Sequence, residues 1–287
     1  MKIYILPIHP NLQPKSQSFN YPKHNKDFGT EQDFYEYITK QKDIIVKMPD
    51  EADWHYLPVF WTRWHLNHDY GKWGLIELQN EIDKTIIDDR RTFTICQYDD
   101  GPVVDVGKTV QFLGSRKTES YRDSPLLSSP HKKPFLKPSK KYLASFTGRL
   151  STHPIRQEIS EQLKNRDDIY INDGDKGSKF FVKKMLQSHI ALCPRGYGGS
   201  SFRFFEAMQL GMVPFLIGDI DTRPFKEFIN WDEVSFFSNN ASHLAEILSS
   251  LDKSELLLMG EKAEMIWKEK LTYQKWCHYV IKELEGF

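Results

Sequence analysis

Apolar and polar positions along the chain alternate between two regimes. Short apolar runs closed by Pro, Gly or Asp give way to longer stretches in which apolar residues recur every three or four positions, the pattern of a parallel α/β protein. In the first half, residues 2–6, 54–57, 93–97 and 110–113 read as strands. Residues 31–41, with Phe34, Tyr37 and Ile38 on one face, and residues 74–87 read as helices. The polar stretch 11–30 reads as a loop near a ligand cleft, and Trp61, Arg63, Trp64, His65 and His68 as a loop beyond the strand at 54–57. In the second half the pattern predicts strands at 141–146, 169–171, 188–193 and 212–217, with helices at 154–163, 178–187 and 201–210. Residues 225–230, 234–237 and 241–251 continue the alternation, and 254–285 reads as helical. Between the halves, Pro125, Pro130, Pro134 and Pro138 are mixed with serines and lysines, the composition of a linker. The expected division is a domain at 1–125, a linker at 126–140, a second domain at 141–265, and a final helix at 266–287 that returns to the first domain, through contacts from Trp267, Trp276 and Tyr279.

The most informative unit begins at the strand 188–193. A glycine-rich turn, Arg195-Gly-Tyr-Gly-Gly-Ser-Ser, leads into a helix that stops at Gly211, and a second apolar run ends at Gly218-Asp219. Strand, glycine turn, helix and strand build anion sites, because glycines let backbone amides approach a phosphate and the free N–H groups of the helix start favour negative charge. Arg203 and Glu206 lie three apart and share a helix face. An arginine there can fork onto a phosphate, while a carboxylate one turn later suits a vicinal diol such as a ribose. The competing reading of that pair is an ordinary surface salt bridge.

The ordered set Cys193, Pro194, Arg195, Gly196, Ser200, Ser201, Arg203, Glu206, Ala207, Gly211, Pro214, Asp219, Pro224 and Phe225 resembles the exostosin-type glycosyltransferases. The likeness extends to Phe146, Gly148 and Arg156, to the opening strand running into Leu6-Pro7, and to Glu51-Ala-Asp before the strand at 54–57. It implies a GT-B fold, with two Rossmann-like domains facing a cleft, and an inverting transfer from a UDP-sugar to a glycan hydroxyl without an obligatory metal or other cofactor. The donor site it implies comprises Gly148, Arg149, Arg156, Arg195, Tyr197, Gly198, Gly199, Ser200, Ser201, Arg203 and Glu206, with Arg149 where such transferases place a diphosphate-binding residue. The acidic turn Asp99-Asp100 stands where the family has one, which makes both candidates for the general base; the alternative is a plain Asp-Asp-Gly turn. His9, Trp61, Arg63, His65 and Asp69 are the acceptor-site candidates. No basic residue is spare for a uronate carboxylate, which favours a neutral donor sugar such as xylose or galactose.

Composition narrows the partners. Lys+Arg and Asp+Glu both number 39, giving zero net charge, so neither a general nucleic-acid binder nor a membrane-surface binder is indicated. Three widely spaced cysteines, Cys96, Cys193 and Cys277, argue against a disulfide framework and for a reducing compartment. No stretch approaches the length of a membrane span, whereas animal and plant exostosins are membrane-anchored in the Golgi; a cytoplasmic enzyme is expected. Three alternatives stay open. Gly196-x-Gly198-x-x-Ser201 with Asp219 downstream partly fits a dinucleotide oxidoreductase. The triplets Asp173-Gly-Asp175 and Asp219-Ile-Asp221, or the pair His65 and His68, could hold a metal. A catalytically dead sugar-nucleotide or glycan-binding module is the non-enzymatic reading.

Overall fold

The computed structural model describes residues 1–15, 29–128, 130–136 and 138–287. Most of the loop expected at 11–30 therefore lies outside the described residues. The chain divides into two compact units, Met1–Pro125 with Tyr273–Phe287, and Leu126–Thr272. Each is a parallel sheet flanked by helices, and the closing helix counts with the first. This is the two-unit GT-B organisation that the resemblance implies.

In the first unit, β1 (Ile3–Ile5), β2 (Trp54–Tyr56), β3 (Thr92–Cys96), β4 (Val110–Leu113) and β5 (Arg122–Asp123) pair in that order, all parallel. Strands β2 and β3 are buried along their whole length, as both faces of a helix-covered parallel sheet require. One face carries α1 (Thr30–Ile38), whose Phe34 meets Tyr56 and Phe93 edge-on and lies 5.9 Å from Trp276 of the C-terminal segment. The other face packs Leu57, Val59, Trp61, Trp64, Leu78 and Ile82, drawn from α2 (Trp61–Asn67), α3 (Leu75–Thr85) and the turn that precedes them. Residues 61–67 are thus a helix and not the expected loop. Trp61 and Trp64 supply its apolar stripe at a spacing of three, and the Glu31 carboxylate caps the buried first-turn amide of Thr62.

In the second unit, β6 (Tyr142–Gly148), β7 (Ile169–Asp173), β8 (Ser188–Pro194), β9 (Val213–Ile217) and β10 (Phe236–Ser238) form a parallel sheet of order β10-β9-β8-β6-β7. Around it lie α4 (Pro154–Leu163), α5 (Ser178–Leu186), α6 (Phe202–Leu210), α7 (Leu244–Ser249) and α8 (Lys253–Ile266). Gly211, at φ 75°, closes α6 in the left-handed conformation that glycine adopts without penalty. Residues 225–230 contribute turns instead of a further regular element. A π-helical turn, Trp267–Leu271, follows α8, and the chain then leaves for α9 (Cys277–Leu284) in the first unit. Trp267 is buried in the second unit; Trp276 is the tryptophan that meets the first. The stretch read as a linker begins with Leu126 and Leu127, 3% and 2% exposed, and packs into the second unit. Among the described residues, no helix is long and apolar enough to cross a membrane.

Glu31 ties α1 to α2 and β3. Its carboxylate accepts from the Thr62 amide and hydroxyl and from the Gln97 amide at 2.7 to 3.2 Å. Burial raises its pKa from 4.5 to about 7 against the pull of those bonds and of Arg63. Because the folded-state value lies above the unfolded one, the stabilisation is full below pH 4.5 and is lost as pH rises through about 7. Glu31 should therefore contribute a downward slope of stability with pH, on the order of 3 kcal/mol between about pH 5 and pH 8, which His65, with its lowered value, opposes; urea midpoints of wild type and variant across that range separate the two. Glu31→Gln should remove most of that slope. An unchanged slope in the variant contradicts the assignment.

Candidate active site

The second sheet reverses its winding between β6 and β8: β7 adds on one side of β6 and β8 on the other. In open α/β sheets the ligand crevice opens outside the strand C-termini at such a switch point. The β6 end carries Thr147, Gly148 and Arg149, and the β8 end Pro194 and Arg195 with the glycine turn and α6 beyond. Ser201, the N-cap of α6, makes no side-chain cap, and the Phe204 amide donates to its carbonyl at 3.0 Å; the positive end of the helix dipole lies at this turn.

Arginines gather here, and Arg156 and Arg203 donate to backbone carbonyls. Arg156 donates to the carbonyls of Arg195 (2.9 Å), Arg149 (3.0 Å) and Pro194 (3.4 Å). Arg203 donates to the Thr147 carbonyl and lies over the Phe146 ring, which also takes Arg156. Burial, and then the charge of Arg203, pulls the Arg156 pKa down to about 10. Burial lowers Arg203 in the same way. Arg203 Nε and Thr147 Oγ1 are buried without a hydrogen-bond partner among the described residues. Carbonyl acceptors carry no full charge, so Glu206 is the carboxylate that acts on Arg203, and the two guanidinium groups give the turn a positive character suited to an anion. Arg149 is exposed and Tyr197 is 70% exposed at the mouth of the turn.

Arg195 serves a different purpose from the expected phosphate contact. It is 7% exposed, donates to the carbonyls of Gly198 and Tyr197, and pairs with Asp219, so it holds the shape of its own turn. Gly198, Gly199, Ser200 and Ser201 form the buried floor of that turn, which the Gly196 amide closes onto the Ser200 carbonyl at 3.2 Å. The triplet carboxylates are similarly engaged. Asp221 pairs with Arg223 and Lys226, Asp173 accepts from the Leu150 amide, and Asp175 from the Gly177 amide.

Glu206 is 7% exposed and does not pair with Arg203 as a surface salt bridge. Its Oε1 accepts from His131 Nε2 at 2.8 Å and from the Ser128 hydroxyl at 3.1 Å. Burial alone would push the carboxyl up; His131, the charge of Arg203 and the Ser128 hydroxyl outweigh it and hold Glu206 below the usual carboxylate range. The His131 amide further donates to Gln209 on the same helix. Sequence reasoning assigned Ser128 and His131 to a linker. The signal that could have found them is the apolar pair Leu126-Leu127 just before, which no solvated linker needs.

In the first unit the candidates separate. Trp61 is fully buried with Nε1 donating to Thr94, and His65 is fully buried with Nε2 donating to the Pro102 carbonyl at 2.8 Å. Burial lowers the His65 pKa to about 4, the Pro102 bond opposing and His68 assisting. Neither side chain faces an acceptor or forms a metal pair; both fix α2. Arg63 is 6% exposed, donating to the Pro14 carbonyl. Asp69 is exposed and paired with Lys72, and His9 is exposed with Nδ1 accepting from the Asn11 amide. Asp99 and Asp100 lie in the turn after β3, Asp99 half-buried and Asp100 exposed and paired with Lys117.

The family model for the Exostosin GT47 domain matches residues 102–251, just over half of the 287-residue chain. Exostosin-1 of Bos taurus is 24% identical over 204 residues, covering 57% of this chain and 27% of that protein. An Exostosin-1 homolog of Caenorhabditis elegans is 27% identical over 153 residues, 45% of this chain and 40% of its own length. The chain thus spans well under half the length of these relatives. Among solved structures, TarM matches with a TM-score of 0.39 and 12% identity over 72% of this chain and 57% of that one.

A methyl group at Gly148 would stand 2.7 Å from Arg203 Nη2. The far end of a flexible side chain can yield, so Gly148→Ala should fold but carry a displaced guanidinium. Affinity for pyrophosphate, the anion the arginines and helix start would take, should fall about tenfold or more by calorimetry, the loss of one charged hydrogen bond. Unchanged affinity would remove Arg203 from the binding site.

Proposed function

The chain belongs to the exostosin GT47 family of glycosyltransferases, and on that footing we propose that its second unit binds a UDP-sugar whose glycosyl group passes, with inversion, to a hydroxyl of a glycan held by the first. The observation that carries the donor assignment is the pairing of two opposite demands on one helix. The α6 amides and Arg203 offer positive charge to a diphosphate, with Arg149 and Arg156 behind them. One turn on, a buried, ionised carboxylate offers lone pairs to a diol. Among the described residues the hydrogen bonds to Glu206 fall on Oε1, which leaves Oε2 to the ribose hydroxyls and makes Ser128 and His131 positioning residues for it.

The transfer itself runs as follows. A carboxylate at the β3 turn, Asp99 or Asp100, takes the proton of the acceptor hydroxyl as its oxygen attacks the anomeric carbon from the face opposite the nucleotide. The bond from that carbon to the diphosphate oxygen breaks, and its electron pair leaves with UDP. The developing charge meets the arginines and helix amides, without a required cation. Asp100 is paired with Lys117, and replacing either carboxylate by Asn, one at a time, assigns the base. The dinucleotide alternative gains nothing from the site. Asp219 is occupied by Arg195, and that reading gives no work to Arg203 and Glu206.

Glu206→Gln keeps the shape and removes the charge. It should weaken UDP binding by about 1.5–3 kcal/mol, and Arg203→Lys should also bind worse because it loses the fork. With 2′,3′-dideoxy-UDP the first variant should bind almost as wild type and the second should still lose affinity. Equal losses for both ligands would mean that Glu206 supports the fold and not the ribose.

A further inference from the structure

The first unit presents a groove of about 1040 Å³ between the segment after β1 and the α2–α3 turn, and an aromatic stack forms part of its wall. The His68 ring lies 3.8 Å from the Trp64 ring at 13°, and the Trp73 ring sits 4.1 Å from His68. Trp64 is 4% exposed, whereas Trp73 is 57% exposed, so the stack runs from the core to an open indole.

Two features show that this indole is held in place. His68 Nδ1 donates to the Trp64 carbonyl at 2.7 Å, which fixes the middle ring. Gly74, at φ 80°, leaves room for it: a methyl group there would stand 2.8 Å from His68 Cδ2 and 3.4 Å from Trp64 Cζ2. The turn that delivers Trp73 is strained, with Asp69 and Tyr70 both at positive φ (50° and 62°). Non-glycine residues adopt that conformation only where the surroundings enforce it, and such strain gathers at ligand clamps.

From this geometry we propose that the groove is a carbohydrate subsite, in which a pyranose ring of an uncharged acceptor glycan lies on the Trp73 indole. An indole face packs against the C–H face of a sugar ring, while the planar polar groups Asn11, Gln13, Asn67 and Glu77 border the groove at the ring's edge, where hydroxyls project. The chemical class follows from the charge of the rim. Among the described lining residues, Glu77 and Glu81 outnumber Lys15 and there is no arginine, so a polyanionic chain finds no surplus positive charge there. The subsite rests on the reading of the chain as a glycosyltransferase and names the class of acceptor.

The test titrates the full chain with cello-, xylo-, malto- and chito-hexaose, and with oligogalacturonate as the anionic counterpart, alongside a separate UDP titration. At least one neutral hexaose should bind, Trp73→Ala should weaken it about tenfold, and Trp73→Tyr should restore most of the loss. UDP affinity should be the same in all three proteins. Neutral oligosaccharides that fail to bind, or that bind Trp73→Ala as tightly as wild type, overturn the subsite; tighter binding of oligogalacturonate overturns its chemical class. Absence of UDP binding to the wild type would instead count against the donor reading, leaving the oligosaccharide arm to decide the groove.

Discussion

A carboxylate buried beside guanidinium groups must be ionised and held, and the second unit is arranged around that requirement at Glu206. Left alone, burial would favour the neutral acid, which has little to offer a diol. His131 and Ser128 reverse this by donating to a single oxygen, and the charge of Arg203 adds to their effect. The segment that supplies them is anchored by Leu126 and Leu127, by the His131 amide on Gln209, and by Lys133 on Glu264 of α8. What composition marks as a linker is therefore a strap across α6.

Sheet topology divides the work between the units. The second sheet reverses direction at β6 and β8, and its arginines and glycine turn collect where those two strands end. The first sheet runs in plain sequence order from β1 to β5 and has no such reversal among the described residues. Its surface features lie instead at the α2–α3 turn, where a stacked His68 carries Trp73 into the open. In the proposed reading, the arginines and helix start of the one unit and the indole-faced groove of the other serve the two substrates of a sugar transfer.

The strands and most helices were legible because their apolar periods are long and their ends are marked. The helix Pro154–Leu163 begins at a proline in the first helical position, and α6 ends at Gly211. The glycine turn before α6 was legible as a turn for the same reason, since it stands between an apolar strand and a helix that ends in glycine. The helix at 61–67 was not. It spans only seven residues, and its cap is Glu31, thirty-one residues before Thr62, a partner that local sequence cannot reveal. The roles of Arg195, Trp61 and His65 were misjudged for a related reason. Residue type suggested contact with a ligand, but burial and long-range partners such as Asp219, Thr94 and Pro102 decide what each side chain does. His131 was hidden by its neighbours, because a lone histidine among lysines and prolines looks solvated until the strap is seen folded onto α6.

The central claim is that α6 presents phosphate charge and a ribose-directed carboxylate on one face. Crystallography of the protein with UDP tests it most directly. The expected result places both ribose hydroxyls within hydrogen-bond distance of Glu206, about 3 Å, with His131 still donating to Oε1 and the diphosphate over the first amides of α6. A ribose bound away from Glu206, with the His131 and Ser128 contacts undisturbed, would show that this carboxylate only fastens the strap.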